Sequence, residues 1–151
     1  MRLTTFSDYT LRTLMYLALR LDRLCTIEEI AAAYGISTDH LTKVAHQAGL
    51  AGDIVTVRGR GGGLRLARPP ETIIVGTVLR RTESDLEIAP CFGAAGACAI
   101  QPACVLQDAL HKALEAFLAV LDRVTLADLV RPKQRLAALL EMVQKTVTES
   151  G

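Results

Sequence analysis

With 151 residues, the chain has room for one core and not for a multidomain enzyme. Half of the residues are apolar, 22% are charged and the formal net charge is +1, a balance that excludes a disordered chain and leaves the partner to be read from where the charges sit. The apolar cluster from Leu14 to Leu19 is bracketed by Arg12, Arg20, Asp22 and Arg23, and nowhere do about 18 apolar residues run without a charge, so neither an export signal nor a membrane span is expected and the cytoplasm is the expected address.

From Ser7 to Arg20, Leu11, Leu14, Met15, Ala18 and Leu19 recur at helical spacing, with Thr5 or Ser7 as candidate caps. A shorter helix is expected from Thr26, whose partner in a capping box would be Glu29, to Tyr34, with Gly35 ending it. Ser37 restarts a helix with Leu41, Val44, Ala45 and Ala48 on its apolar face, closing near Gly49. Two short helices joined by a tight glycine turn form a helix-turn-helix. The runs Ile54 to Val57 and Leu64 to Leu66 read as strands around Arg58-Gly59-Arg60-Gly61-Gly62-Gly63, a hairpin that turns the motif into a winged helix. Pro69 and Pro70 interrupt the chain, and helical spacing resumes from Glu71 to Thr82. Periodicity is lost from Ser84 to Cys104. Leu106, Leu110, Ala113, Leu114, Phe117, Leu118 and Leu121 then mark a long helix whose broad apolar stripe needs a partner, and a helical tail from Leu126 to Val147 should break near Pro132.

The first 70 residues hold nine Lys or Arg against six Asp or Glu, and the remainder eight against ten. The surplus is densest from Ile54 to Pro70, where Arg58, Arg60, Arg65 and Arg68 occur with no acid among them, as suits an anionic partner. Aromatic residues are 4% and Trp is absent, so duplex backbone is a better fit than stacked single-strand bases. In a helix-turn-helix, the segment Ser37 to Lys43 would enter the major groove, with Thr38, Asp39, His40 and Lys43 outward. Arg58 and Arg60 at the wing tip would enter a minor groove or hold phosphates, a solvated turn being the alternative. The glycines at 59, 61, 62 and 63 do not form a phosphate loop, which would require a following Lys-Ser or Lys-Thr and a helix. His40, His46 and His111 fall on predicted helices with no fixed relation to a thiol, and no enzyme is expected.

Cys91, Cys98 and Cys104 lie within fourteen residues of a loop rich in small side chains. Soft thiolate clusters select zinc, copper(I) or iron-sulfur centres, and three cysteines leave the usual set one ligand short, so the fourth must come from elsewhere, including a second protomer. A thiol-disulfide switch is the metal-free reading. Cys25, among apolar neighbours, is expected in the core. Asp8 in the first turn of the first helix needs no explanation beyond the helix dipole.

Four stretches, Thr5-Phe6-Ser7-Asp8-Tyr9, Val57-Arg58-Gly59-Arg60-Gly61-Gly62-Gly63-Leu64-Arg65-Leu66, Cys98-Ala99-Ile100-Gln101-Pro102-Ala103-Cys104 and Thr125-Leu126-Ala127-Asp128-Leu129, resemble the NsrR-type nitric-oxide-sensitive repressors. These belong to the Rrf2 winged-helix family, as does the iron-sulfur regulator IscR, and the resemblance runs from Met1 to about Val130. It implies a mainly α fold with a two-stranded wing: a winged helix-turn-helix DNA-binding domain over 1–82, an iron-sulfur cluster-binding loop over 83–104, and a dimerisation helix with a helical tail over 105–151. It also implies a homodimer on double-stranded operator DNA, with nitric oxide as the signal. The implied cofactor is an iron-sulfur cluster on Cys91, Cys98 and Cys104, 4Fe-4S in preference to 2Fe-2S, with Asp8 of the other protomer as the leading fourth ligand. IscR-like relatives carry a His three residues after the third cysteine, where this chain has Gln107. An IscR-like sensor of cluster status, a zinc-bound regulator and a thiol-switch regulator are the alternative readings.

Overall fold

Thr4 starts the first helix. In the computed structural model, which describes residues 2–92, 98–100 and 103–149, the Thr4 hydroxyl accepts the Ser7 amide and α1 runs Thr5–Ala18. Thr5 and Ser7, the expected caps, therefore lie inside the helix, and the helix stops short of Arg20. Ser7 is fully buried because its hydroxyl is used in a tertiary contact, 2.7 Å from that of Thr82.

Helix α2, Ile27–Tyr34, begins with the expected capping box: the Glu29 amide donates to the Thr26 hydroxyl and the Thr26 amide to the Glu29 carboxylate. Gly35 closes it at φ 64°, a left-handed conformation in which any Cβ is strained. Ser37 caps α3, Thr38–Leu50, so the last turn extends one residue past Gly49. Strands β1, Ile54–Val57, and β2, Gly63–Leu66, pair antiparallel with Ile54 opposite Leu66 and Val57 opposite Gly63. Cys25 adds a single bridge to this hairpin, exchanging both backbone hydrogen bonds with Leu64, and is completely buried as expected. The fold is mainly α with a two-stranded wing.

The helix predicted from Glu71 begins only at Val75 and runs to Thr82 as α4. A single 3-10 turn, Pro70–Thr72, precedes it, and Ile73 and Ile74 are held extended. The cause is tertiary: Ile74 bridges to Thr125, the Leu126 amide donates to the Ile73 carbonyl at 2.8 Å, and the Val75 amide to that of Val124 at 2.9 Å. These bonds commit residues that local spacing alone would have placed in the helix. Within the aperiodic segment, Pro90–Phe92 forms a 3-10 turn. Helix α5 runs Val105–Leu121, α6 Leu126–Leu129 and, after the expected break at Pro132, α7 Lys133–Glu149.

The core gathers Leu14 and Leu17 of α1, Ile30 of α2, Leu41 and Ala45 of α3, Ile54 and Leu64 of the hairpin, Val78 of α4 and Leu126 of α6. Leu136 and Leu140 of α7 pack on its rim. The tail thus folds back onto the winged helix. Each fully buried Leu or Ile contributes roughly 1.5 to 3 kcal/mol relative to exposure. Helix α5 differs. Among the described residues, Leu118 is its one buried side chain, whereas Val105, Leu106 and Val120 are 80%, 66% and 63% exposed.

Candidate nucleic-acid interface and thiol site

The first turn of α3 is organised by its cap. Ser37 Oγ accepts the His40 amide at 3.3 Å and lies 2.9 Å from His40 Nδ1, which holds the imidazole against the helix start. The same ring packs on Tyr9 of α1, with centroids 5.9 Å apart. Ser37, Thr38, Asp39, His40 and Lys43 are all exposed on this face, while Leu41, Val44 and Ala45 point inward. Arg58 and Arg60 sit in the exposed turn between the strands. The turn requires glycine at 62, because a Cβ there would stand 2.2 Å from the Val57 carbonyl oxygen. Helix start and wing tip thus present outward side chains that can reach base edges and phosphates, respectively.

A buried carboxylate fixes the wing to the helices. Asp53, 0% exposed, precedes β1 and receives Arg68 through Nε at 3.1 Å and Nη2 at 2.7 Å, with Arg81 of α4 on its other oxygen. Its amide donates to Ala48 of α3 and its carbonyl accepts from Ala67. Arg68 also donates to the Thr72 carbonyl at 2.8 Å. One residue on from Arg81, Thr82 holds Ser7. The next, Glu83, accepts both the amide and the hydroxyl of Thr4, at 2.9 and 3.2 Å. Three consecutive residues at the end of α4 therefore grip the wing base and the first turn of α1, directly before the segment that carries the cysteines. Sequence reasoning missed this junction. Its one signal was an isolated acid placed just before a run of arginines.

All four cysteines are free; Cys91 and Cys104 are partly exposed and Cys98 is exposed. Burial pushes the Cys25 thiol up from its ordinary range, so it stays protonated and is a poor ligand. Cys104 occupies the N-cap position of α5, where no side chain caps the helix and the positive end of the dipole faces outward. Cys91 lies in the 3-10 turn Pro90–Phe92, whose contacts to α5 are a hydrogen bond from Gln107 Nε2 to the Cys91 carbonyl and a stack of Phe92 on His111. Asp8 is bound by Arg12, with Nε 3.0 Å from Oδ1 and 2.9 Å from Oδ2, and lines an open hollow of 350 Å³ with Arg2, Leu3, Thr5 and Tyr9. Among the described residues of the one chain, no three His, Cys, Asp or Glu side chains converge as a metal site. The donor set is still of the kind an iron-sulfur cluster uses, three free thiols of which Cys104 stands at a helix N-cap, and it is one ligand short.

The Rrf2 family profile, described as "Iron-dependent Transcriptional regulator", matches residues 3–132. The chain is 45% identical over 144 residues to the "HTH-type transcriptional regulator NsrR" of Halalkalibacterium halodurans, covering 94% of this chain and 99% of that one. It is 48% identical over 144 residues to the protein of the same name from Bacillus subtilis, with the same coverage of both chains. Among solved structures, IscR of T. potens superposes with a TM-score of 0.71 at 26% identity, covering 87% of this chain and 88% of that one.

Proposed function

Because this chain belongs to the Rrf2 family of transcriptional regulators, we propose that it is an iron-sulfur-dependent repressor that binds operator DNA as a homodimer and releases it when nitric oxide nitrosylates the cluster. The observation that carries this reading is the position of the thiols. They lie on the segment that joins α4, whose last residues hold the wing base and the first turn of α1, to α5, whose exposed apolar face calls for a second copy.

In this reading Cys91, Cys98 and Cys104 hold a cluster of the 4Fe-4S type in preference to 2Fe-2S, and Asp8 of a second copy gives up Arg12 to supply the oxygen ligand. When bound, the cluster supplies iron that nitric oxide attacks, most readily where a hard carboxylate oxygen holds it among soft sulfurs. The rest belongs to the protein. Ser37, Thr38, Asp39, His40 and Lys43 read the major groove, and Arg58 and Arg60 hold the phosphates or enter the minor groove at the wing. Release of Asp8 frees the first turn of α1, which Thr82 and Glu83 hold and on which Tyr9 packs against His40. A coupling of ordinary size, about 1 to 3 kcal/mol, lowers operator affinity roughly 5 to 150-fold.

The test is selection of an operator from random duplexes with anaerobically purified protein, followed by its titration with wild type and Cys98→Ala. Wild type should contain iron and acid-labile sulfide and bind the selected duplex over a scrambled one, and Cys98→Ala should lose both properties. Specific binding by an iron-free Cys98→Ala protein would remove the cluster from the mechanism.

A further inference from the structure

Gln107 stands on the first turn of α5, three residues after Cys104, and its side chain points back across the cysteine segment. Nε2 donates to the Cys91 carbonyl at 3.1 Å, sixteen positions away in the chain. One turn on, His111 stacks on Phe92, with ring centroids 4.1 Å apart and planes within 10° of parallel. The His111 ring is itself held, since Nδ1 lies 3.0 Å from the Gln107 carbonyl oxygen. A carbonyl oxygen only accepts, so Nδ1 carries the proton of that bond. Two side chains four residues apart on one helix face thus seize two consecutive residues of the Cys91 turn, one through its backbone and one through a ring face. The two contacts are independent in chemistry and agree in where they place the turn.

We infer that Gln107 and His111 are positioning residues that clamp the Cys91 turn onto the first two turns of α5, the helix that Cys104 caps. The inference rests on the cluster reading for its consequence. Cys91 and Cys104 are presented from one rigid support, while Cys98 stands exposed on the segment between them. Holding two of three ligands in place lowers the entropy lost when the site is filled and opposes ligand loss afterwards. Gln107 acts through the Cys91 backbone and His111 through Phe92; neither acts as a ligand.

The clamp is tested first in iron-free protein, by the rate at which iodoacetamide alkylates each cysteine, read by mass spectrometry. Gln107→Glu keeps the shape of the side chain but sets an acceptor against the Cys91 carbonyl, and His111→Ala removes the stack. Each should raise the Cys91 rate about 5-fold, the size of one neutral hydrogen bond or aromatic pair, and leave the Cys98 rate unchanged. His111→Phe, which restores the ring face, should return Cys91 to within about 2-fold of wild type. In reconstituted protein, Gln107→Glu should also lose iron to a chelator faster by a similar factor. Equal acceleration of Cys91 and Cys98, or none at either, would overturn the clamp. A wild-type chain that takes up no iron or sulfide on reconstitution would overturn the cluster reading and the role given to the clamp, while the alkylation rates still decide whether the clamp exists.

Discussion

Asp53 is the residue on which the geometry of the wing depends most. Its carboxylate is fully buried, but both guanidinium partners reach solvent, with Arg68 and Arg81 side chains 37% and 31% exposed. Asp53→Ala leaves the two cations without their shared anion and should cost about 3 kcal/mol in urea unfolding, the low end for a broken buried pair because water reaches the arginines. A loss under about 1 kcal/mol would show that the pair is solvated and does not fix the wing. A different carboxylate sets an acid limit. The Thr125 amide and hydroxyl hold Asp128 below the ordinary carboxylate range, with Arg131 adding to the effect. A lowered folded-state pKa contributes stability that is present above the unfolded value, near 3.9, and is lost as pH falls through the lower folded value. The stability deficit of Asp128→Asn, measured against wild type by chemical denaturation, should therefore be present at pH 7 and shrink below about pH 4. A deficit that stays constant into acid would contradict this. Neither group was legible beforehand as a hub. A lone Asp before a strand has no signal but the arginines that follow it, and one of its two partners, Arg81, is twenty-eight positions away.

Among the elements, α3 and the wing were the most legible, because caps, glycine turns and period-two strands are local signals. Thr26 with Glu29, Gly35, Ser37 and the hairpin are where the spacing put them. Two exceptions share one cause. Ile73 and Ile74 carry helical spacing and yet lie extended, because their backbone groups are taken by Val124, Thr125 and Leu126. Ser7 looked like a cap and is instead the partner of Thr82. In each case a contact far along the chain outweighed a local preference. The hydroxyl pair joins α1 to α4, so Thr82→Val should cost about 1 kcal/mol through the buried Ser7 oxygen left short of a partner, read by thermal or urea unfolding. No change in stability would mean that water replaces the bond. In the wing, Arg58→Ala and Arg60→Ala should each weaken operator binding and lower the slope of log affinity against log salt by about 1. An unchanged slope would take those arginines off the phosphates.

At the scale of the whole molecule, the outer face of α5 stands uncovered among the described residues. Val105, Leu106 and Val120 stand in solvent on a helix that buries little else, an arrangement a second copy would satisfy. Val120→Glu should shift sedimentation toward the monomer and lower operator affinity at least 10-fold, about 1.4 kcal/mol, because a single reading head loses its half-site partner. A variant that stays dimeric would place the interface elsewhere. The three thiols and the long apolar helix were visible in the sequence, since composition and spacing reveal both. Hidden were the links between them: Gln107 to Cys91, Phe92 to His111, and the grip of residues 81 to 83 on α1 and the wing. Those links are made by fold-dependent neighbours and have no spacing to detect. They are also what would let a change at the cysteines reach DNA. The most direct measurement is a nitric oxide titration of the anaerobic protein bound to a fluorescent selected operator, following visible absorbance and anisotropy in the same cuvette. A coloured protein is expected, its iron-sulfur absorbance bleaching in step with the fall in anisotropy; a colourless protein, or DNA that stays bound while the absorbance collapses, would contradict cluster-gated release.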